Sequence, residues 1–276
     1  MERRVLTIGH SPDADDAFMF YALTHDKIDT GAYCFRHLLE DIESLNRRCL
    51  KGELEISAVS LHAYAHIADR YALLTCGASV GKGYGPIVVR RQDAPTDLSG
   101  AILAIPGTLT TAFLTLKLYL KDFRYTVVPF DQILNAVKSE QVDAGLLIHE
   151  GQLTYADEGL HRVVDLGAWW LEATGLPLPL GVNVVRRDLG EAVMREVSRL
   201  MRASIDYALA HREEALSYAL RYSRGLDRAR GDQFVGMYVN DYTRDLGVEG
   251  RQAVDTLLSR AYAEGIIPTK PQIEFV

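Results

Sequence analysis

Apolar positions in the first two-thirds of the chain fall into short β-branched runs, separated by segments whose apolar residues recur at helical spacing. Residues 5–9, 33–38, 54–59, 72–76, 86–90, 101–105, 125–129, 144–148 and 182–185 read as strands. Between them, 15–24, 41–51, 60–69, 110–120 and 131–139 read as helices, with Asp41, Ser60 and Asp131 as expected caps. Strands alternating with helices predict βαβ units and largely parallel sheets, hence an α/β fold.

The last third changes character. Residues 189–210, 213–222, 229–241 and 249–264 all read as helical, with Gly225, Gly247 and Gly265 at helix ends. In the first of them Val193, Val197, Leu200, Met201, Ser204, Ile205 and Ala208 share one face, as expected of a helix packed on a sheet. Two segments read as crossovers: 81–91 and 176–187 both run from Gly and Pro into a Val-rich strand ending in Arg-Arg. They predict a smaller lobe, 90–183, inserted into a larger one made of 1–89 plus 184–276. A ligand is then expected in the cleft between the lobes.

Composition narrows the classes. Of 276 residues, 48% are hydrophobic and 24% charged, which argues against a disordered, collagen-like or disulfide-stapled chain. A net charge of −7 makes nucleic acid a poor partner. Cys34, Cys49 and Cys76 are odd in number and form no CxxC pair, so reduced thiols are expected, not a disulfide framework or zinc ribbon. The N-terminus carries charge without an apolar run of signal length, and no stretch approaches ~18 apolar residues. The expectation is a cytoplasmic protein without a membrane span.

Candidate chemistry gathers at strand ends, where α/β proteins place ligands. Ser11-Pro12-Asp13-Ala14-Asp15-Asp16 follows the first strand, and capping the next helix accounts for only part of this acidic cluster. Ser11 and Asp15 are candidate cleft-wall residues. Pro106-Gly107-Thr108-Leu109-Thr110-Thr111-Ala112 opens another helix; capping needs one hydroxyl, and the second suits a carboxylate or phosphate ligand. It is not a P-loop, since no Gly-Lys-Ser/Thr follows. Ile56-Ser57-Ala58-Val59-Ser60 makes a third corner of the same kind. His149, where a buried strand emerges, reads equally as a general base or as a ring bonded to nearby backbone. His62 and His66 share a helix face but lack the glutamate and third ligand of a zinc site, so a packed or solvated face is expected. Gly81, Gly83 and Gly85 lead into a strand, which fails the test for a nucleotide loop. Trp169 and Trp170 fit a cleft wall or a core equally.

An ordered set of segments resembles a known family. It comprises Gly9-His10-Ser11-Pro12-Asp13-Ala14-Asp15-Asp16-Ala17-Phe18, the Pro106–Ala112 corner written above, and Gly145-Leu146-Leu147-Ile148-His149-Glu150-Gly151. Asp165-Leu166-Gly167-Ala168-Trp169-Trp170 and Leu176-Pro177-Leu178-Pro179-Leu180-Gly181 complete it. The set is similar to the 1,4-dihydroxy-6-naphthoate synthases of the futalosine route to menaquinone. That resemblance implies a two-lobed fold like the type II periplasmic binding proteins, with a ligand cleft between the lobes. It implies conversion of cyclic dehypoxanthine futalosine to 1,4-dihydroxy-6-naphthoate, a carbon–carbon lyase reaction. His149 would accept the proton, and Ala58, Val59, Ser60, Thr110 and Thr111 would contact the substrate. Some members carry Cys-Pro where Asp13-Ala14 stand and Asn where Asp15 stands. No metal or other cofactor is called for, and the expected partner is a small molecule; an oligomer is compatible with the helical last third. The alternatives are the chorismate dehydratase of the same pathway and a non-catalytic organic-anion-binding protein. A regulator's effector domain ranks last, since no helix-turn-helix precedes the first strand.

Overall fold

A computed structural model describes residues 3–223 and 226–276; Gly225, an expected helix end, lies outside the described residues. The first five strands are β1 (Arg4–His10), β2 (Tyr33–Leu39), β3 (Ile56–Ser60), β4 (Tyr71–Leu73) and β5 (Ser79–Gly81). The next five are β6 (Ile87–Arg91), β7 (Ile102–Ile105), β8 (Arg124–Val127), β9 (Ala144–Leu147) and β10 (Leu160–Asp165), and the last is β11 (Leu178–Arg186). One sheet has the order β2-β1-β3-β11-β4, with β5 also paired to β11, and the other runs β10-β6-β9-β7-β8.

Both sheets are mixed. β1 is parallel to β2 and β3, and β7 to β8 and β9. The strands next to the lobe crossings run against their neighbours: β6 is antiparallel to β9 and β10, β11 to β3, β4 and β5. Sheet membership puts the two crossings at residues 82–86 and 166–177. The expected boundaries at 90 and 183 therefore fall inside β6 and β11.

Burial explains the strand sequences. Every residue of central β3 (Ile-Ser-Ala-Val-Ser) is buried and none is charged, whereas edge strand β8 is exposed throughout. Each sheet is covered on both faces by apolar side chains. The long helix Glu191–Ala210 buries Met194, Val197, Leu200, Met201, Ser204, Ile205 and Ala208. This is the expected face, except that Met194 replaces half-buried Val193 at its margin.

Several local expectations are corrected. The helix expected over 15–24 breaks at Phe20 into Ala14–Met19 and Tyr21–Thr24. The one expected over 60–69 is a single turn, Leu61–Tyr64. Asp131 caps nothing by side chain; it lies within a 3-10 turn, Phe130–Gln132, ahead of the helix Ile133–Lys138. β11 is longer than 182–185 because it absorbs Pro179 where its pairing with β5 shifts register, a position that spares the missing N–H. Also present are β5, β10 and the helix Leu166–Thr174, none of them expected. Among the described residues no helix is long and apolar enough to cross a membrane.

Candidate active site

The end of β1 builds one wall of the cleft. Asp13 is the N-cap of the Ala14–Met19 helix, its Oδ1 accepting the Asp16 N–H at 3.3 Å. Asp16 Oδ2 in turn accepts the Ser11 N–H at 2.7 Å. Asp13, Asp15 and Asp16 are all buried, each with an oxygen within 4.8 Å of the others. Three carboxylates cannot all ionise so close together and out of water. Burial raises the Asp15 acid well above the ordinary range, and the charges of Asp13 and Asp16 add to it. Burial and the Asp13 charge do the same to Asp16. Asp13 goes the other way: burial would raise it, but the hydrogen bond and charge of His149 outweigh burial and hold it below the carboxylate range.

His149 lies just beyond β9 in the second sheet, with a left-handed φ of 58°. Histidine tolerates that region better than most residues, and there it ends the strand and turns the chain. Its Nδ1 lies 3.1 Å from Asp13 Oδ2, across the cleft. The ring stands edge-on to Phe130, at 4.8 Å between centroids. Nε2 has no hydrogen-bond partner among the described residues. With its amide oxygen turned to face donors, Gln152 accepts the His149 N–H at 3.2 Å and bonds the Tyr238 hydroxyl at 2.8 Å.

The corner after β7 forms the facing wall, and the two threonine hydroxyls are already engaged. Thr110 Oγ1 accepts the Phe113 N–H at 3.2 Å as the cap of the Thr111–Tyr119 helix and donates to Gly107 O at 2.9 Å. Thr111 Oγ1 donates to Leu180 O at 2.6 Å and accepts the His62 N–H at 3.2 Å, which ties the lobes together. So the second hydroxyl is not surplus. What this helix start offers a ligand is the Thr111 and Ala112 N–H groups, which have no intrahelical partner. Glu43 adds a further inter-lobe link, accepting the Leu109 N–H at 3.1 Å.

β3 alternates, as a strand must. Ala58 and Ser60 line the cavity, while Val59 points to the other face and packs among Leu45, Leu61 and Tyr64. The Val59 side chain therefore makes no cavity contact. Ser60 stands at a helix start, but its hydroxyl makes no cap; it accepts from Asn46 Nδ2 at 3.0 Å. Ser11, Asp15, Thr110, Thr111 and His149 line the same cavity, which opens to solvent. A cleft between two lobes lined by apolar and a few polar side chains suits a small organic ligand.

Other sequence candidates lie elsewhere. His62 is buried with Nδ1 3.3 Å from Thr110 O, and burial lowers its pKa to about 4. Trp170 is a fully buried core residue donating to Pro177 O at 3.1 Å, and Trp169 stacks edge-on against Tyr119; neither lines the cavity. Sequence reasoning missed Ser79, Gln152, Phe234 and Tyr238, all cavity residues. Gln152 had a local signal, being one turn past His149. Tyr238 had none, since it arrives from a distant helix.

A family model described as menaquinone biosynthesis matches residues 6–263. The chain is 44% identical to a 1,4-dihydroxy-6-naphthoate synthase of Thermus thermophilus, covering 98% of this chain and 99% of that one. It is 38% identical to the enzyme so named in Streptomyces coelicolor, over 97% and 96% of the two chains. A crystal structure of an Archaeoglobus fulgidus protein superposes with a TM-score of 0.92 at 52% identity, covering 95% and 98%. An alkanesulfonate-binding protein from Xanthomonas axonopodis superposes at 0.74 with 12% identity, covering 99% and 97%, so the fold is that of the periplasmic binding proteins. On the family match across nearly its whole length, this chain belongs to the menaquinone biosynthesis family.

Proposed function

We propose that this protein converts cyclic dehypoxanthine futalosine to 1,4-dihydroxy-6-naphthoate, a carbon–carbon lyase reaction in which His149 accepts the proton. The observation that carries the reading is His149 itself: a cavity-lining imidazole, bonded through Nδ1, whose buried Nε2 has no hydrogen-bond partner among the described residues. A base needs one nitrogen held and the other free of competing protein hydrogen bonds, and the buried Nε2 meets the second condition. On the same lobe, beyond the neighbouring strand β7, the Thr111 and Ala112 N–H groups at a helix start suit a carboxylate or other polar oxygen. Nε2 takes a hydroxyl proton and so opens the spiro-linked sugar; the carbon–carbon bond between sugar and bicycle then breaks, its electron pair staying with the bicycle while the sugar fragment leaves as a carbonyl compound, and formation of the aromatic ring supplies driving force.

Chromatography of purified protein incubated with cyclic dehypoxanthine futalosine tests this. The expected result is 1,4-dihydroxy-6-naphthoate from wild type. His149→Ala should lose roughly 100-fold or more in kcat while still binding product. An unchanged kcat in that variant would remove His149 from the mechanism. Substrate bound but left intact would identify a capture protein instead, and turnover of chorismate in its place would identify the dehydratase.

A further inference from the structure

We propose that Asp13 is the positioning residue for His149, acting across the cleft from the opposite lobe. This rests on the reading of His149 as base. Asp13 belongs to the β1 corner of the larger lobe, and His149 follows β9 in the smaller one. Their contact is a 3.1 Å Nδ1–Oδ2 pair in which both side chains are largely withdrawn from water. Asp13 is the better acceptor of the acidic cluster. Its other oxygen already takes the Asp16 N–H, and Asp16 is occupied by the Ser11 N–H.

An ionised carboxylate only accepts hydrogen bonds, so it selects the tautomer with the proton on Nδ1. The Nε2 lone pair is then the one left for substrate. The groups facing this pair are Ser11, His10, Asp15 and Asp16 on the Asp13 side, and Phe130 and Gln152 on the His149 side. His10 is itself held neutral, its pKa lowered to about 4 by burial, so no cation on that side competes with His149 for Asp13. Since orienter and base sit on different lobes, the base is complete only when the lobes meet as they do here. Tyr238–Gln152, Arg230–Asp157 and Thr111–Leu180 hold that contact from three sides.

The test compares full-length wild type with Asp13→Asn, Asp13→Gly and His149→Ala. Asn and Gly both serve as N-caps, so the Ala14–Met19 helix keeps its start. Turnover of cyclic dehypoxanthine futalosine and affinity for 1,4-dihydroxy-6-naphthoate are measured side by side. Asp13→Asn is expected to lower kcat about 100-fold with product affinity changed less than about threefold. Added formate should restore activity several-fold in Asp13→Gly and not in His149→Ala. Nitrogen-15 spectra of labelled histidine, assigned by the signal lost in His149→Ala, should show the Nδ1–H tautomer in wild type and its loss in Asp13→Asn. That spectrum reads the pair whatever the substrate is. Inactive wild type with the tautomer shift intact would overturn the substrate reading alone. An unchanged tautomer, or kcat within twofold of wild type in Asp13→Asn, would overturn the role of Asp13.

Discussion

Asp13, Asp15 and Asp16 are three identical side chains that the fold makes unlike. Asp13 stays ionised against His149, while burial and its neighbours' charges favour the neutral form of Asp15. This has a consequence for stability. For an acid whose folded pKa is raised, the native state keeps a proton that the unfolded chain has released. Stability therefore falls as pH rises from the ordinary aspartate value, near 4, up through the folded value. Asp15→Asn removes that titration. Its unfolding free energy in urea should fall less than that of wild type between pH 4 and pH 8, by about 1.4 kcal/mol per unit of displacement. Parallel curves for the two proteins would show that Asp15 is ionised in the native state. The acidic cluster was legible in the sequence as a strand end running into a helix. Its partner was not, because Asp13 and His149 meet only through the packing of two lobes.

At the scale of elements, local rules read best where an amphipathic helix is long. The 20-residue Glu191–Ala210 helix shows its buried face through spacing alone. Elements that escaped include β5, whose three residues are too few for a period-2 pattern to show, and also the longer β10 and Leu166–Thr174 helix. Glycines divide along the same line between local and non-local causes. A Cβ on Gly167 would lie 2.0 Å from the Tyr84 carbonyl oxygen, where the Leu166–Thr174 helix starts against the crossing segment. Gly236 is exposed within the Arg228–Tyr238 helix, and a Cβ there meets nothing closer than the Arg212 side chain at 3.8 Å. Gly167→Ala should cost about 3 kcal/mol and lower Tm by roughly 6–12 °C. Gly236→Ala should gain about 0.5–1 kcal/mol by restricting the unfolded chain. Thermal unfolding of the two variants checks both signs, and a neutral Gly167→Ala would mean that the crossing can shift.

For the whole molecule, buried histidines set the response to acid. His10 and His37 form a 3.1 Å ring–ring pair behind the active-site loop, and burial lowers them to about 4 and about 3. Burial likewise lowers His62, beneath the Thr110–Thr111 corner, to about 4. A histidine lowered by folding stays neutral while its unfolded counterpart takes up a proton below about 6.5. The unfolded state then binds more protons, so stability is complete above pH 6.5 and is lost as pH falls toward 4. The expected loss is several kcal/mol across the three residues, at about 1.4 kcal/mol per unit each. Asp15 and Asp16 titrate in the opposite sense, so the difference in urea unfolding free energy between wild type and His37→Gln at pH 7.5, 5.5 and 4.5 isolates one histidine's share, and a difference constant with pH would mean that this ring is solvated. By itself the sequence determined the α/β alternation, the amphipathic last third and the strand-end corners where ligand chemistry collects. Those features depend on periodicity and capping, which act over a few residues. Tertiary structure alone decided which strand joins which sheet, that Val59 faces the core, that the Thr111 hydroxyl ties the lobes, and that His149 meets Asp13. Each depends on distances between remote segments, and those are set by how the lobes bury their apolar faces and close on each other.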